Sequence, residues 1–466
     1  MGRSQIKNLF LTIILLVAPL SGATPASAQV GGAPPSPQQQ RPRTVVVPAP
    51  VALATPEALP TPTPPPFEGV SAQAAARPAF FKHGILVEES DGDLVIEQGA
   101  DQPYNPASAV KLATALQALR TLGADHRFPT AVWSTGTFDR ATGTIIGDLI
   151  ISGRDPSFHY QHAVALAREL NHAGVRTVTG DLVVAPKFTM NFGASALRSG
   201  ERLYDTLDST RRPAAAVRAW NDERAALKDP EALVTTPSVA VMGAVYVDSV
   251  PPGAQLLLTH RSSRLEDVLK VLLCYSNNFM AERLGDTLGG PAGLERFLTT
   301  ELQIPPGEVR LSSTSGLGVN RLSPRNMLKI YRALLDELDE HGLKASDIMP
   351  VAGIDPGTLE RRFARHPSRG SIIAKTGTLI RTDGGASALV GQFRAQNGET
   401  LYFVIFNQRG SVARFRGAQD QLLYSLQLAH GGPAQFPYVP QALAMRLSDT
   451  EYQTAKNSEE YEPESN

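Results

Sequence analysis

The sequence predicts an α+β protein in which an antiparallel sheet is flanked by helices and a smaller α+β domain is inserted. Strand-like runs lie near both ends of the folded stretch, and amphipathic helices lie between them. Residues 134–257 have a different pattern, with short strand-like pieces on either side of a helical one. The chain has 466 residues with 44 Lys+Arg and 45 Asp+Glu, so its net charge of −1 argues against nucleic-acid binding. The single cysteine excludes an intrachain disulfide framework and a cysteine-based zinc cluster.

The two ends of the chain are predicted to lie outside the folded part. Residues 1–28 have a basic start, a short apolar stretch and a small-residue cleavage site, which together are typical of a signal peptide. Residues 29–79 are proline-rich and predict a disordered spacer, and residues 436–466 end in an acidic segment that predicts a disordered tail. We therefore expect a secreted protein, periplasmic or extracytoplasmic, which contacts a membrane only if the signal is not cleaved.

The first part of the main domain is predicted to span residues 80–133. Residues 83–87 and 93–96 alternate like two strands of a hairpin around a Ser-Asp-Gly turn. A helix is expected to follow Asn105, which is a favourable N-cap, and to end at Gly123.

The inserted domain is predicted to span residues 134–257. It has two similar strand-like pieces, residues 144–151 and 178–184, and a helical pattern between them at 162–171. Each strand-like piece contains Gly-Asp-Leu, which we interpret as a structural turn and not as a binding loop.

The main domain is predicted to resume over residues 258–435. Helical patterns precede three strands, and a last helix follows them. The expected helices are 264–274, 279–288, 324–338 and 413–428, and the expected strands are 370–377, 386–394 and 400–407.

Three short motifs occur in order along the chain, each in a suitable local structure. A Ser-x-x-Lys alone is weak, and one in the signal region is a decoy, but the ordered set is a strong signal. The motifs are Ser108-x-x-Lys111, Ser276-x-Asn278 and Lys375-Thr376-Gly377.

The first motif has the spacing of a nucleophile and its base. Positions i and i+3 of a helix share a face, so the amine of Lys111 can reach the hydroxyl of Ser108. A partly desolvated lysine loses its proton more readily and can act as a general base. The N–H of Ser108, in the first turn of the helix, can point at a developing oxyanion.

The second motif interrupts two helical runs, which suits side chains that project into a cleft. Ser276 can relay a proton to a leaving amine, and Asn278 offers a donor and an acceptor to a peptide group. Taken alone, these residues would be better explained by a polar turn between helices.

The third motif ends a β-branched run and is predicted to be a strand. The amine of Lys375 and the hydroxyl of Thr376 can hold a substrate carboxylate, and Gly377 allows a ligand backbone to approach closely. The N–H of Thr378 is then a natural second donor to the oxyanion.

The motif set resembles that of the penicillin-recognising serine enzymes. The long interval between Ser108 and Ser276 narrows the resemblance to the D-alanyl-D-alanine carboxypeptidase/endopeptidase (penicillin-binding protein 4) family, the class C low-molecular-mass penicillin-binding proteins, which insert extra domains there. Further similar segments are Gly147–Phe158, Thr179–Val184, Cys274–Leu284, Ser315–Pro324 and Met349–Phe363. The resemblance implies a β-lactamase/transpeptidase-like domain with a helical lobe.

The resemblance implies acyl transfer on peptidoglycan stem peptides, with β-lactams as covalent inhibitors and with neither a cofactor nor a metal. Residues 313–318 and 379–385 depart from the family pattern, which leaves substrate preference open. A β-lactamase or esterase with the same residues, or a weakly catalytic peptidoglycan-binding protein, remain alternatives. A metallopeptidase is disfavoured because His159 and His162 are not part of a His-Glu-x-x-His run. The oligomeric state is left open.

Overall fold

A computed structural model describes residues 83–227 and 235–455. The predicted signal peptide, the predicted spacer and residues 456–466 lie outside the described residues. Within the described ranges, no helix combines the length and the apolar character that a membrane span requires.

The described residues form fifteen strands and eleven helices. The strands are β1 His83–Glu89, β2 Leu94–Gln98, β3 Pro129–Ser134, β4 Thr137–Asp139, β5 Thr144–Ile146, β6 Leu149–Gly153, β7 Thr177–Val178, β8 Leu182–Val184, β9 Ala240–Val241, β10 Val245–Val247, β11 Gln255–Arg261, β12 Ile372–Leu379, β13 Ala386–Arg394, β14 Thr400–Gln408 and β15 Glu451–Thr454. The helices are α1 Val110–Leu122, α2 Tyr160–His172, α3 Ala196–Leu207, α4 Ala214–Leu227, α5 Leu265–Tyr275, α6 Asn278–Thr287, α7 Gly290–Thr300, α8 Pro324–Glu340, α9 Ala345–Ile348, α10 Val412–Ala429 and α11 Leu443–Arg446.

An antiparallel sheet of five strands in the order β12-β13-β14-β1-β2 joins the two ends of the main domain. Its side chains alternate between two cores, as the period of two requires. On β14, Val404 and Phe406 face the core that helices α1, α5 and α8 share, whereas Phe403 and Ile405 face α10. This is the predicted antiparallel sheet flanked by helices, and β12 is one of its edges.

Two further sheets are formed by the strands that lie between α1 and α5 in the sequence, with β15 from the C-terminal segment added to one of them. One has six strands in the order β10-β8-β6-β3-β11-β15, and the other has four in the order β4-β5-β7-β9. The expected single strands at 144–151 and 178–184 are each wrong, because a Gly-Asp turn splits them between the two sheets.

These Gly-Asp turns stack on one another. The Gly180 N–H donates to Gly147 O at 2.9 Å, and the Asp181 N–H donates to Asp148 Oδ1 at 2.9 Å. A Cβ on Gly180 would lie 2.5 Å from Gly147 O, so only glycine allows this approach. The prediction that these segments are structural turns is confirmed.

The predicted disordered tail from residue 436 is wrong for residues 436–455. These residues include α11 and β15, and β15 pairs antiparallel with β11 from Leu258↔Thr454 to Arg261↔Glu451. The segment reads as polar because it forms an edge strand, whose outer side faces solvent.

The six-stranded sheet also extends beyond the predicted insertion of 134–257. Strand β3 begins at Pro129 and β11 ends at Arg261, so one end of each of these strands lies within the predicted flanking segments. The difference arises because β3 and β11 pair with each other, a long-range contact that local patterning does not indicate. The division into a split main domain and an insertion stays a prediction.

The remaining candidates for chemistry outside the motifs have structural contacts. The His159 N–H donates to His162 Nδ1 at 3.1 Å, and the His162 Nε2–H donates to Leu447 O at 2.8 Å, so that ring ties α2 to the C-terminal segment. Cys274 is fully buried in α5, and burial raises the pKa of its thiol to about 12. Neither feature suits a nucleophile or a metal ligand.

Candidate active site

Ser108 lies on a single 3-10 turn, Ala107–Ala109, immediately before α1. The sequence predicts one helix from Asn105, whereas the structure tightens this segment: Asn105 Oδ1 accepts from the Ala107 N–H at 3.0 Å, and Ala107 has φ +47°. Ser108 is half-buried while both of its neighbours are buried. The predicted nucleophile therefore projects from an otherwise buried segment.

Lys111 is fully buried and has three oxygen partners. Its Nζ lies 3.0 Å from Ser108 Oγ, 2.7 Å from Asn278 Oδ1 and 2.6 Å from Ser315 O. Burial lowers the pKa of this amine to about 7, although the carboxylate of Glu282 opposes the shift. A large fraction of Lys111 is therefore uncharged near neutral pH.

The three contacts of Lys111 determine the direction of its hydrogen bond to the nucleophile. The amide oxygen of Asn278 and the carbonyl oxygen of Ser315 can only accept, so they take the two N–H groups of the uncharged amine. Its lone pair is then left for the hydroxyl of Ser108. This is the arrangement that a general base needs.

Ser276 and Asn278 lie at the break between α5 and α6, as the sequence predicts. Ser276 adopts the left-handed conformation, with φ +53° and ψ +43°, and so ends α5. Asn277 caps the next helix, because its Oδ1 accepts from the Met280 N–H at 3.1 Å. The break brings Asn278 to Lys111 at the first position of α6.

Lys375 is fully buried, and its Nζ donates to Ser276 Oγ and to Thr376 O, each at 2.8 Å. Burial, reinforced by the charge of Lys111, holds the pKa of Lys375 well below its usual value. The contact with Ser276 is one that the sequence did not predict. The carboxylate-binding role of Lys375 stays a prediction.

Strand β12 presents its backbone to the open edge of the sheet. The Ala374 N–H points away from β13, because it donates to Pro350 O at 3.3 Å. The direction of the N–H alternates along a strand, and the register between β12 and β13 is unbroken. The N–H groups of Thr376 and Thr378 therefore point to the same open edge, as a second oxyanion donor at Thr378 requires.

Two glycines allow the segments of the site to approach each other. A Cβ on Gly377 would lie 2.5 Å from Pro106 O, and one on Gly316, which has φ +85°, would lie 2.0 Å from Ala107 O. The close neighbour of Gly377 is the chain's own backbone, and the expectation that Gly377 also makes room for a ligand stays a prediction. Both glycines let β12 and residues 313–318 pack against the Ser108 turn.

Glu282 is a site residue that sequence reasoning missed. It accepts from the Ser315 N–H at 3.1 Å and from Thr314 Oγ1 at 2.9 Å, which holds the 313–318 segment against Lys111. Glu282 lies four residues after Asn278 in α6, so helical spacing could have indicated that both face the site.

Two further contacts of the site had no signal in the sequence. Asp383, in the 379–385 segment, makes a bidentate pair with Arg321 at 2.8 and 2.9 Å and accepts from Asn105 Nδ2 at 2.8 Å. Arg416 Nη2 donates to Thr378 Oγ1 at 2.8 Å. Each contact joins residues that are far apart in the chain, so only the folded structure reveals it.

The site thus contains two hydroxyl groups, each in contact with a buried amine. Ser108 pairs with Lys111, and Ser276 pairs with Lys375. Such a site can activate one hydroxyl as a nucleophile and use the other to pass a proton to a leaving group.

Comparisons with known proteins agree with this arrangement. The D-alanyl-D-alanine carboxypeptidase of Actinomadura sp. (strain R39) is 26% identical, over 78% of this chain and 80% of that protein. The penicillin G-acylated Bd3459 predatory endopeptidase of Bdellovibrio bacteriovorus superposes with a TM-score of 0.64 at 22% identity, over 77% of this chain and 96% of that one. Penicillin binding protein 4 (dacB) of Haemophilus influenzae superposes with a TM-score of 0.55 at 21% identity, over 74% and 96%.

The structural similarities confirm the predicted β-lactamase/transpeptidase-like fold, and the resemblance to the penicillin-binding protein 4 family is also confirmed. The sequence pattern of one peptidase family, described as D-Ala-D-Ala carboxypeptidase 3 (S13), matches residues 70–189 and 209–425. This match covers most of the chain. The chain therefore belongs to the D-Ala-D-Ala carboxypeptidase 3 (S13) family.

Proposed function

We propose that the chain is a serine D-alanyl-D-alanine carboxypeptidase, an endopeptidase, or both, which acts on peptidoglycan peptides through an acyl-enzyme. The observation that carries the proposal is the buried amine of Lys111, with its pKa lowered to about 7 and its Nζ 3.0 Å from Ser108 Oγ. A buried base in contact with a half-exposed hydroxyl supports nucleophilic catalysis. Family membership supports the peptide bond between two D-alanines as the target.

In the first step, Ser108 Oγ bonds to the carbonyl carbon and its proton passes to Lys111 Nζ. The N–H groups of Ser108 and Thr378 stabilise the oxyanion that forms. The carbon–nitrogen bond then breaks, and the leaving amine takes a proton from the hydroxyl of Ser276, which Lys375 contacts. Lys111 gives up the proton that it took from Ser108, and this proton restores the hydroxyl of Ser276, so Lys111 is uncharged again. Water hydrolyses the resulting ester, with Lys111 again as the base, and regenerates Ser108.

Recognition of the substrate is assigned to the edge of β12 and to Asn278. The hydroxyl of Thr376 binds the terminal carboxylate, and Asn278 orients the peptide group. A β-lactam presents a strained amide and a carboxylate to the same groups, so we expect it to acylate Ser108. The acylation of the B. bacteriovorus protein by penicillin G supports this expectation.

The proposal includes an extracytoplasmic location, since peptidoglycan lies outside the cytoplasm. The signal-like pattern of residues 1–28 supports it.

Mass spectrometry of the purified protein with penicillin G tests the nucleophile. We expect one covalent adduct on wild type and on the control Ser90→Ala, whose exposed serine lies in the β1–β2 hairpin, and none on Ser108→Ala. An adduct on Ser108→Ala would refute the assignment of the nucleophile. Rapid turnover of penicillin by wild type would instead identify a β-lactamase.

The release of D-alanine from a D-Ala-D-Ala peptide, and the cleavage of a cross-linked muropeptide dimer, test the reaction. We expect at least one of the two products. A stable penicillin adduct with neither product would support a peptidoglycan-binding protein and contradict the peptidase.

A further inference from the structure

This site needs a positively charged side chain to bind the substrate carboxylate, and Lys375 is the first candidate. Lys375 is fully buried, and its amine already contacts Ser276 Oγ and Thr376 O. Burial and the charge of Lys111 hold the pKa of Lys375 well below its usual value, so its positive charge is disfavoured. A carboxylate at the edge of β12 therefore needs another cation.

The alternation of side chains along β12 indicates where this cation lies. Lys375 and Gly377 point to one face of the sheet, and Thr376 and Thr378 point to the other. Helix α10 covers that second face: Gln419 Nε2 donates to the hydroxyl of Ser387, the residue paired with Thr378. Because β12 is an edge strand, both threonines on this face are within reach of a ligand at the edge.

Arg416 extends from α10 to this edge. One of its terminal nitrogens donates to Thr378 Oγ1 at 2.8 Å, and the side chain is exposed. Within residues 83–227 and 235–455, no carboxylate forms an ion pair with Arg416. The neighbouring Arg362, in contrast, is neutralised by Asp420.

The hydrogen bond to Thr378 also orients the threonine. A hydroxyl that accepts from a guanidinium keeps its own proton for another acceptor. Thr378 then presents an O–H, and Arg416 presents its remaining N–H groups. A guanidinium with free donors matches the geometry of a carboxylate.

We propose that Arg416 is a specificity-determining residue that binds the carboxylate of the residue leaving the substrate, together with the hydroxyls of Thr376 and Thr378. The proposal rests on the proposed peptidase function. It assigns to Arg416 the charge recognition that the sequence had assigned to Lys375, and it leaves Lys375 to hold Ser276. Substrates with a free carboxylate beside the scissile amide are then preferred over their amides.

The test compares a D-Ala-D-Ala peptide with its C-terminal carboxamide, and penicillin G with its methyl ester. For Arg416→Gln, we expect kcat/KM on the acids to fall about 10- to 100-fold, since a charge-assisted hydrogen bond is lost. On the neutral analogues we expect a change of less than about twofold. Arg416→Lys keeps the charge and should restore part of the activity on the acids.

Arg414→Gln is the matched control, because Arg414 is exposed on the same helix and has no contact with β12 among the described residues. This control should leave kcat/KM at the wild-type value both on the acids and on the neutral analogues. If Arg416→Gln lowers the rates on acids and neutral analogues equally, or changes neither, the proposal is wrong while the peptidase function stands. If wild type reacts with neither the peptide nor penicillin, the proposed function fails and this proposal fails with it.

Discussion

The pH dependence of acylation is the most direct consequence of the buried lysine. Lys111 must be uncharged to accept the proton of Ser108, and burial lowers its pKa to about 7 from the usual value of 10.5. The active, deprotonated form therefore increases as the pH rises through about 7. With that pKa, about a tenth of Lys111 is uncharged at pH 6 and about nine tenths at pH 8. We expect the rate constant of acylation to rise about tenfold over this interval.

The measurement is the pseudo-first-order rate of labelling by a fluorescent penicillin between pH 5.5 and 8.5, at constant ionic strength. The carboxylate of the penicillin stays ionised over this range, so the ligand contributes no titration of its own. A rate that is flat between pH 6 and 8, or that falls, would refute the assignment of Lys111 as the base.

Glu282→Gln tests the same assignment by changing the pKa of Lys111. The carboxylate of Glu282 raises the pKa of Lys111, so its removal should move the midpoint of the profile to lower pH, by roughly one unit. Glutamine keeps an oxygen to accept from the Ser315 N–H. Asp286→Asn, which removes an exposed carboxylate at the penultimate position of α6, is the control and should not move the midpoint. A midpoint that moves upward in Glu282→Gln would contradict the electrostatic account.

Three substitutions test the packing around the site. Gly316→Ala should reduce penicillin labelling more than about tenfold, because its Cβ would lie 2.0 Å from Ala107 O and its φ is +85°; labelling at the wild-type rate would contradict this. Asp355→Ala should lower the free energy of unfolding, measured with urea, by about 3–5 kcal/mol, because the fully buried Lys270 loses the carboxylate at 2.7 Å and keeps only two backbone carbonyls as partners; a loss below about 1 kcal/mol would be inconsistent. Asp383→Ala should slow acylation about three- to tenfold with unchanged circular dichroism, and an unaltered rate would show that this anchor does not position the site.

The sequence predicts those parts of the site that depend on local spacing. Ser108 and Lys111 are three residues apart, and a short helical segment places them in contact whatever the rest of the chain does. The break at Ser276 and the strand at Lys375 are likewise local patterns. The proximity of the three segments was implied by the family resemblance, and no local pattern contains it.

The parts that sequence reasoning missed depend on contacts between distant residues. Asp383 contacts Arg321 and Asn105, and Arg416 contacts Thr378. Charged and polar residues at such separations occur in any chain, so the sequence does not indicate which of them form a contact. The strand Glu451–Thr454 was missed because a polar edge strand has the same composition as a disordered tail.

Strand β15 makes the order of synthesis relevant to folding. Its partner β11 leaves the ribosome about 190 residues earlier, and until β15 arrives, the side of β11 that β15 later covers has no strand beside it. The six-stranded sheet is thus completed only after every strand of the five-stranded sheet has been made. A fragment cut at residues 129–261 would lack β15 and would expose that edge of β11 to pairing with other chains.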